Sequence, residues 1–303
     1  MSDISSDKKS ERTLIVIAGA TASGKTDAGI SLAKKLNTEI ISADARQFYR
    51  EMNIGTAKPT TAQLAEVKHH FINSLSIHDD YSAGKFEADV ELLMNKLWKK
   101  YSTLIMVGGS GLFIDAAING LDEIPKVNAD AKQKVKALFD KNGIEALQSE
   151  LKKLDEAYYT EADTENPHRM IRALEVCYTT GKPFSSFRKK NKKQINFKVK
   201  YFVLDVEREE LYNRINHRVD DMMNQGLEEE AKSLLQFRNL NSLNTVGYKE
   251  LFEYFDGKYS LQEAVEKIKQ HTRNYAKRQL TWFRGVEEAK WITHENLCRL
   301  FNL

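Results

Sequence analysis

Apolar residues in the first third of the chain fall into short unbroken runs, separated by stretches with helical spacing. The runs at 12–20 ("RTLIVIAGA") and 38–44 ("TEIISAD") predict buried strands, and 25–36 ("KTDAGISLAKKL") between them has the periodicity of a helix. An amphipathic helix at 86–101 and a third strand at 103–111 ("TLIMVGGSG") follow. Strands that alternate with helices in this way indicate a parallel sheet, in which ligands gather at the carboxyl ends of the strands.

The pattern changes at about residue 118. Strand signals vanish from there to about 197, and helical periodicity replaces them. A fourth strand is predicted at 197–206 ("FKVKYFVLDV"), and the chain from about 207 is predicted to be helical, with a long run at 261–285. A helical block bracketed by α/β segments indicates an insertion into the sheet domain.

These segments predict three parts: a disordered tail of 1–11, an α/β catalytic core of 12–117 and 198–303, and a helical insertion domain of 118–197. The polar start, "MSDISSDKKSER", lacks the apolar segment of a secretion signal. No apolar run approaches the roughly 20 residues that a membrane span needs. We therefore expect a cytoplasmic protein with no membrane partner.

Charge and cysteine content narrow the functional classes. The 303 residues carry a formal net charge of +3, so any surface for nucleic acid must be local. The two cysteines, Cys177 and Cys298, lie far apart and form no CxxC pair, so neither a disulfide framework nor a zinc site is expected. A reducing cytosol fits this cysteine usage.

The segment "GATASGKT" (19–26) has the spacing of a phosphate-binding loop, with a predicted strand before it and a helix after it. In such a loop the backbone N–H groups and the positive helix N-terminus face a phosphate. The lysine neutralises charge and the threonine hydroxyl holds Mg²⁺. The candidate ligand-binding residues are Gly19, Ala20, Thr21, Ala22, Ser23, Gly24, Lys25 and Thr26. The motif predicts a pyrophosphate-bearing ligand but leaves open whether a P–O or a C–O bond breaks.

Asp44 closes the second predicted strand, next to the phosphate loop in a parallel sheet. In a P-loop kinase or ATPase, an acid at this place helps to hold Mg²⁺ or takes a proton from an acceptor. The alternative is a turn-forming aspartate, because many strands end in one.

Seven motifs occur in an order that resembles the tRNA dimethylallyltransferase family, the bacterial tRNA isopentenyltransferases, over roughly residues 12 to 285. They are "GATASGKT", "SADARQFYREMNIGTAKP", "YSAGKFEAD", "VGGSGLF", "NPHRMIRALEV", "TVGYKEL" and "YAKRQLTWFR". The resemblance implies an α/β fold with a P-loop NTPase-like parallel sheet flanked by helices and an inserted all-helical domain. "NIGTAKP" is not a general feature of P-loop proteins, which makes the resemblance specific.

The resemblance also implies a reaction. The loop would hold the pyrophosphate of dimethylallyl diphosphate with Mg²⁺, and the acceptor would be the exocyclic amine of the adenine 3′ of the anticodon in tRNA. A carbon–oxygen bond would break and pyrophosphate would leave. Asp44 matches the general base, Ser110 matches a threonine that hydrogen-bonds near the amine, and Arg218 in "RINHR" matches an arginine that faces the pyrophosphate.

By the same resemblance, the helical insertion would bind the anticodon stem-loop, and five segments would contact RNA in a monomeric enzyme. The candidate RNA-binding residues are Asp44, Ala45, Arg46, Gln47, Ser110, Lys132, His168, Arg169, Met170, Ile171, Arg172, Thr245, Val246, Gly247, Tyr248 and Lys249. Ala45 stands where the family has serine, and Lys132 where it has arginine, which lysine cannot replace as a bidentate fork. These changes affect RNA contacts rather than the class of reaction.

The last helical run adds Lys277, Arg278 and Arg284, which are either RNA contacts or a solvated helix face. We expect Trp282 and Phe283 beside them to pack in the core rather than stack on bases. Three other functions remain open: prenyl transfer to a free adenine nucleotide, a small-molecule kinase, and a non-enzymatic RNA-binding ATPase. The first leaves the helical insertion unexplained, the second leaves "NIGTAKP" without a role, and the third leaves Asp44 and Ser110 without one.

Overall fold

The computed structural model describes residues 11–189 and 193–303. The predicted disordered tail of 1–11 lies outside these residues, apart from Glu11. Among the described residues, none of the helices is long and apolar enough to span a lipid bilayer.

The core of the protein is a six-stranded sheet in which every pairing between strands is parallel. Its strands are β1 (Thr13–Gly19), β2 (Ile40–Ser42), β3 (His69–His70), β4 (Thr103–Gly108), β5 (Lys198–Leu204) and β6 (Ala289–Ile292). Their order across the sheet is β3-β2-β4-β1-β5-β6. The predicted α/β class with a parallel sheet is confirmed.

Twelve α-helices are found in the described residues. They are α1 (Lys25–Leu36), α2 (Thr61–Glu66), α3 (Ala83–Leu97), α4 (Gly111–Asn119), α5 (Ala129–Leu154), α6 (Glu156–Glu161), α7 (Pro167–Thr180), α8 (Arg208–Asn224), α9 (Leu227–Leu234), α10 (Tyr248–Phe255), α11 (Leu261–Arg284) and α12 (His294–Phe301). Short 3-10 helices occupy Phe184–Phe187, Leu235–Phe237 and Asn241–Leu243. Helix α3 begins before its predicted start because the Ser82 side chain accepts the Lys85 N–H and caps it.

Strand β1 lies in the middle of the sheet, between β4 and β5, and is buried on both faces. Leu14, Val16 and Ile17 have no exposed surface, which explains why this strand reads as an unbroken apolar run rather than an alternating one. Each such side chain contributes roughly 1.5–3 kcal/mol of burial energy. The phosphate loop that follows β1 is therefore attached to a buried central strand of the sheet.

Two strands are absent from the sequence-based prediction. Strand β3 has two residues and β6 has four, and the chain from about 207 was predicted to be helical throughout, which is wrong at β6. Neither strand is long enough for a periodicity of two to stand out, and both lie at edges of the sheet.

Helix α11 corresponds to the predicted run at 261–285. It begins with a capping box, in which the Ser260 hydroxyl and the Glu263 carboxylate each accept a backbone N–H of the other residue. Phe283 is fully buried, as expected. The same expectation is wrong for Trp282, which keeps 42% of its surface exposed and lies against Gly111.

The contacts divide the described residues into two compact units, one ending at Ile118 and resuming at Ile195, the other spanning Asn119–Gln194. The second unit is helical and packs around its own apolar side chains, including Val135, Leu147 and Met170.

Asp155 connects α6 to the 3-10 helix Phe184–Phe187 within this helical unit. It is 3% exposed, and its carboxylate accepts the Tyr158 N–H and both the N–H and the hydroxyl of Ser185. These three donors offset the free-energy cost of burying the polar side chain of Asp155.

Gly108 provides a test of the close packing at the end of β4. A Cβ on this residue would lie 2.1 Å from the carbonyl oxygen of Ala43. We expect Gly108→Ala to lower the free energy of unfolding by at least about 2 kcal/mol, because the backbones of two strands must separate. Urea unfolding monitored by circular dichroism measures this.

Gly84→Ala is the control. A Cβ there meets only the Ser82 hydroxyl, at 3.9 Å, and the residue lies in α3. This variant is expected to gain about 0.5–1 kcal/mol. Equal stability of the two variants would contradict the close approach of the β4 backbone at Gly108 to the carbonyl oxygen of Ala43.

Candidate active site

The carboxyl ends of β1, β2 and β4 open into a cavity of about 810 Å³. Its wall includes the phosphate loop, the segment after β2, the glycines after β4, and one face each of α8 and α11. A parallel sheet brings these strand ends to one edge, which explains why motifs that lie far apart along the chain line one cavity.

The phosphate loop has the backbone of an anion cradle. Ala22 and Gly24 have φ values of +63° and +88°, so the loop turns through the left-handed region just before α1. Gly19 has a φ of +154°, and a Cβ there would lie 2.8 Å from the Ser23 hydroxyl oxygen. This hydroxyl is buried and has no hydrogen-bond partner among the described residues. A buried donor without a partner at a helix N-terminus fits a phosphate oxygen.

Two cations meet at this loop. Lys25 Nζ donates to the carbonyl oxygen of Ala20 at 2.6 Å, and Arg218 Nη1 donates to the Thr21 hydroxyl at 3.4 Å. Burial, and then the charge of Arg218, lower the pKa of Lys25 to about 8, although Asp44 acts in the opposite direction. Burial also lowers the pKa of Arg218. Both groups hold charge that the protein compensates only in part, so an anion is favoured between them.

Asp44 lies directly beyond β2 and lines the same cavity. Its Oδ1 atom accepts the backbone N–H of Arg46 at 2.9 Å and that of Gln47 at 3.4 Å, which fixes the carboxylate in an Asx turn. Among the described residues, no hydrogen bond reaches Oδ2. One oxygen is thus held by the turn while the other is available to a ligand.

Ser110 supports the segment that carries Asp44. Its hydroxyl accepts the Ala45 N–H at 2.9 Å, and it also acts on Tyr275 of α11. Burial, and then the nearby carboxylate of Asp44, raise the pKa of Tyr275 to about 12, although Ser110 acts in the opposite direction. Tyr275 therefore remains a neutral hydroxyl beside Asp44 and is a site residue that sequence reasoning missed.

Gln279 is a second residue that sequence reasoning missed, although the motif "YAKRQLTWFR" contains it. Its Oε1 atom accepts the Thr21 N–H at 2.9 Å, and its Nε2 atom donates to the Gly109 carbonyl oxygen at 2.8 Å. It therefore joins the phosphate loop to the end of β4. The sequence does contain a signal for its role, because Gln279 is a polar residue on the apolar face of α11, three positions after Ala276 and four before Phe283. In the structure its side chain is buried, at 7% exposure.

The "NIGTAKP" segment (53–59) is a turn held by one carboxylate. Glu230 of α9 accepts the N–H groups of Asn53, Ile54 and Gly55 at 2.9–3.0 Å, and it also accepts the hydroxyl of Tyr248 at 2.7 Å. A Cβ on Gly55 would lie 2.6 Å from the Tyr248 ring, so only glycine fits there.

The same turn also binds the side chain of Gln47. The side-chain amide of Gln47 donates to the carbonyl oxygens of Thr56 and Ala57, at 3.2 and 3.1 Å. Both of its N–H groups are therefore used inside the protein. Its side-chain oxygen accepts the Ser42 hydroxyl at 3.5 Å, and Gln47 and Ser42 both line the cavity.

Most of the predicted RNA-binding residues outside the helical unit lie on the cavity wall. They are Asp44, Ala45, Arg46, Gln47, Thr245, Val246, Gly247 and Lys249. Arg46 connects the segment 44–47 to the chain just before Thr245, since its guanidinium donates to the carbonyl oxygens of Asn241 and Asn244. Tyr248 is fully buried, and its hydroxyl is bound to Glu230.

The other predicted RNA-binding residues belong to the helical unit. Lys132 is exposed in the first part of α5, and the remaining five residues all lie in the first turns of α7, where their exposure differs. His168, Arg169 and Arg172 are exposed, Ile171 is half-buried, and Met170 is part of the core of this unit.

Comparison with known proteins agrees with this geometry. The family model described as IPP transferase matches residues 47–286. A tRNA dimethylallyltransferase of Christiangramia forsetii is 51% identical, over 95% of this chain and 96% of that protein. One of Bacteroides thetaiotaomicron is 46% identical, over 93% of this chain and 92% of that protein.

Solved structures lead to the same family. The tRNA isopentenylpyrophosphate transferase of Bacillus halodurans is 35% identical with a TM-score of 0.70, over 96% of this chain and 95% of that one. A eukaryotic dimethylallyltransferase acting on tRNA is 26% identical with a TM-score of 0.77, over 93% of this chain and 74% of that one. The chain belongs to the IPP transferase family, and it is an enzyme of the tRNA dimethylallyltransferase class. The predicted resemblance and the P-loop-like fold are confirmed.

The lowered pKa of Lys25 predicts how anion binding depends on pH. Because this pKa is about 8, the ammonium charge is lost as the pH rises through that value rather than near 10.5. We expect the affinity for inorganic pyrophosphate, measured by calorimetry, to fall about tenfold between pH 7 and pH 9.5. Lys25→Met is the control, because pyrophosphate itself changes protonation equally with both proteins. Parallel pH curves for the two proteins would contradict the role of Lys25.

The link made by Gln279 predicts a second effect. Gln279→Ala leaves the Thr21 N–H and the Gly109 carbonyl without their partner, at about 1–3 kcal/mol for each buried group. We expect lower stability in urea and weaker pyrophosphate binding. Gln270→Ala, an exposed position on the same helix, is the matched control. Pyrophosphate affinity that is equal in the two variants would remove Gln279 from the site.

Proposed function

We propose that this enzyme transfers the dimethylallyl group of dimethylallyl diphosphate to the N6 amine of the adenine 3′ of the anticodon in tRNA, and releases pyrophosphate. The observation that carries the proposal is the convergence of Lys25 and Asp44 on one cavity, where the charge of Asp44 acts on Lys25. A phosphate cradle and a separate acid are what an allylic transfer to a weak nitrogen nucleophile needs.

The bond changes can be assigned to groups of this chain. The lone pair of N6 forms a bond to C1 of the allyl group, and the C1–O bond breaks with its electron pair passing to the diphosphate oxygen. Lys25, Arg218 and the buried Ser23 hydroxyl are placed to meet the charge that develops there. A single preorganised donor of this kind contributes about 3–4 kcal/mol to the lowering of a barrier.

The proton of N6 passes to Asp44 in this scheme. The adenine amine is a poor nucleophile because its lone pair is delocalised into the ring. A carboxylate that accepts an N–H of the amine orients it and receives its proton, a contribution of about 10²–10⁴-fold. The Asx turn supports this role, because it fixes Oδ1 of Asp44 and leaves Oδ2 to the substrate.

We further propose that Mg²⁺ accompanies the diphosphate. Thr26, in the first turn of α1, lines the cavity beside Lys25, and its hydroxyl is the type of hard ligand that Mg²⁺ accepts. Among the described residues there is no cluster of three or more His, Cys, Asp or Glu that could hold a metal ion. When bound, Mg²⁺ would neutralise charge on the diphosphate.

For RNA, the cavity wall and the helical unit offer separate features. Arg46, Lys249 and Arg278 line the cavity, and an adenine must leave its stack to enter it, at a few kcal/mol. Phosphate contacts by such cations offset that energy. We propose that the helical unit binds the anticodon stem-loop through exposed residues that include Lys132, Arg169 and Arg172. The monomeric state and the cytoplasmic location stay predictions.

One assay separates this function from its alternatives. The protein is incubated with Mg²⁺ and dimethylallyl diphosphate together with an anticodon stem-loop or AMP, and in parallel with ATP and candidate acceptors. A stem-loop whose mass rises by one five-carbon unit supports the proposal. Transfer only to AMP, phosphate transfer from ATP, or RNA binding without chemistry would each replace it with one of the other functions.

The role of Asp44 leads to a further test. We expect Asp44→Ala to lose turnover by at least about 100-fold while it keeps its affinity for the stem-loop. Asp44→Asn is the matched variant, because its amide oxygen still accepts the N–H groups of Arg46 and Gln47 but takes no proton. Single-turnover mass spectrometry and fluorescence anisotropy measure the two quantities. Near-normal turnover of either variant would remove Asp44 as the base.

A further inference from the structure

One face of α11 follows the cavity from the phosphate loop outward. Gln279, Tyr275 and His271 are spaced by four residues, so they share this face, and all three line the cavity. A rise of 1.5 Å per residue separates His271 from Gln279 by about 12 Å along the helix. Along the axis of α11, Gln279 lies beside the phosphate loop and Tyr275 lies near Asp44. His271 lies one further turn along the helix, and we call these three positions levels.

His271 is paired with a buried acid. Its Nδ1 atom lies 2.5 Å from Oε1 of Glu250, a residue that is 5% exposed. The other carboxylate oxygen accepts the Gly247 N–H at 2.7 Å. An ionised carboxylate can only accept, so with Glu250 ionised Nδ1 donates to it and Nε2 remains for a ligand. The His271 side chain is 46% exposed, although it is anchored.

The charges around this pair favour an anion. The cationic side chains on the cavity wall are Lys25, Arg46, Arg218, Lys249 and Arg278, and the acidic ones are Asp44, Glu250 and Glu253. The other titratable groups on the wall are His69 and Tyr275. Lys25 and Arg218 lie at the phosphate loop, which leaves Arg46, Lys249 and Arg278 on the rest of the wall. Of the acids, Glu250 is already bound to His271 and Gly247.

We propose that the Glu250–His271 pair is a binding site for a backbone phosphate of the RNA substrate. This inference rests on the proposed function, since it identifies a contact made by the proposed acceptor. The phosphate belongs to RNA rather than to the diphosphate donor, because the loop that cradles the donor lies about 12 Å away along α11. Glu250 orients the imidazole, as carboxylate partners of histidine do.

The proposal makes RNA affinity depend on pH in one direction. A histidine side chain in contact with a phosphate binds it more strongly when charged than when neutral, so the proposal expects RNA affinity to rise as the pH falls. One phosphate contact also adds about 0.7 to the slope of log affinity against log salt for single-stranded nucleic acid.

The test measures binding of an anticodon stem-loop by fluorescence anisotropy, without donor, at pH 5.5 and pH 8.5. We expect His271→Asn to bind about fivefold more weakly than the wild type at pH 5.5, about equally at pH 8.5, and with the smaller salt slope at low pH. Glu250→Gln should show the same pattern. His271→Lys should bind tightly at both values, because its charge does not titrate there.

Controls separate the possible failures. His78→Asn removes an exposed imidazole that does not line the cavity, and should bind like the wild type. A wild-type pH profile and salt slope in both His271→Asn and His271→Lys would overturn the proposal, even if one variant folded poorly. Loss of pyrophosphate affinity in His271→Asn would assign the pair to the donor and overturn it as well. If the wild type prenylates no RNA, the proposed function fails instead.

Discussion

A single side-chain amide, that of Gln279, holds the phosphate loop and the end of β4 at a fixed separation, and the site depends on this separation. The amide accepts from Thr21 and donates to Gly109, so both of its polar ends are used. Ser110 follows Gly109 directly and supports Ala45, the residue next to Asp44. The position of the acid relative to the cradle is therefore set by three hydrogen bonds rather than by the sheet alone.

The central strands and the location of the site could be predicted from the sequence for a physical reason. Strands that are buried on both faces, such as β1 and β4, must be apolar throughout, and parallel pairing brings their carboxyl ends together. The partners of Gln279 could not be predicted, because they lie 258 and 170 residues away along the chain. Local spacing carries no information about contacts at such separations.

The "NIGTAKP" segment illustrates the same limit. Its sequence marks it as specific, yet the reason lies in Glu230 and Tyr248, which approach it from distant helices. A carboxylate that accepts three successive N–H groups leaves the turn few alternative conformations. The turn then binds the side-chain amide of Gln47. The motif therefore supports a neighbouring side chain, and its residues Gly55, Thr56, Ala57 and Pro59 also line the cavity.

Helix α11 also limits how this enzyme can change. Its three cavity levels are separated by whole helical turns without a break, so a deletion of one residue between His271 and Gln279 would rotate one end against the other by about 100°. No loop within this stretch can absorb such a change. Substitutions can change the group that each of these three residues binds, but the spacing of the three residues along the cavity stays fixed.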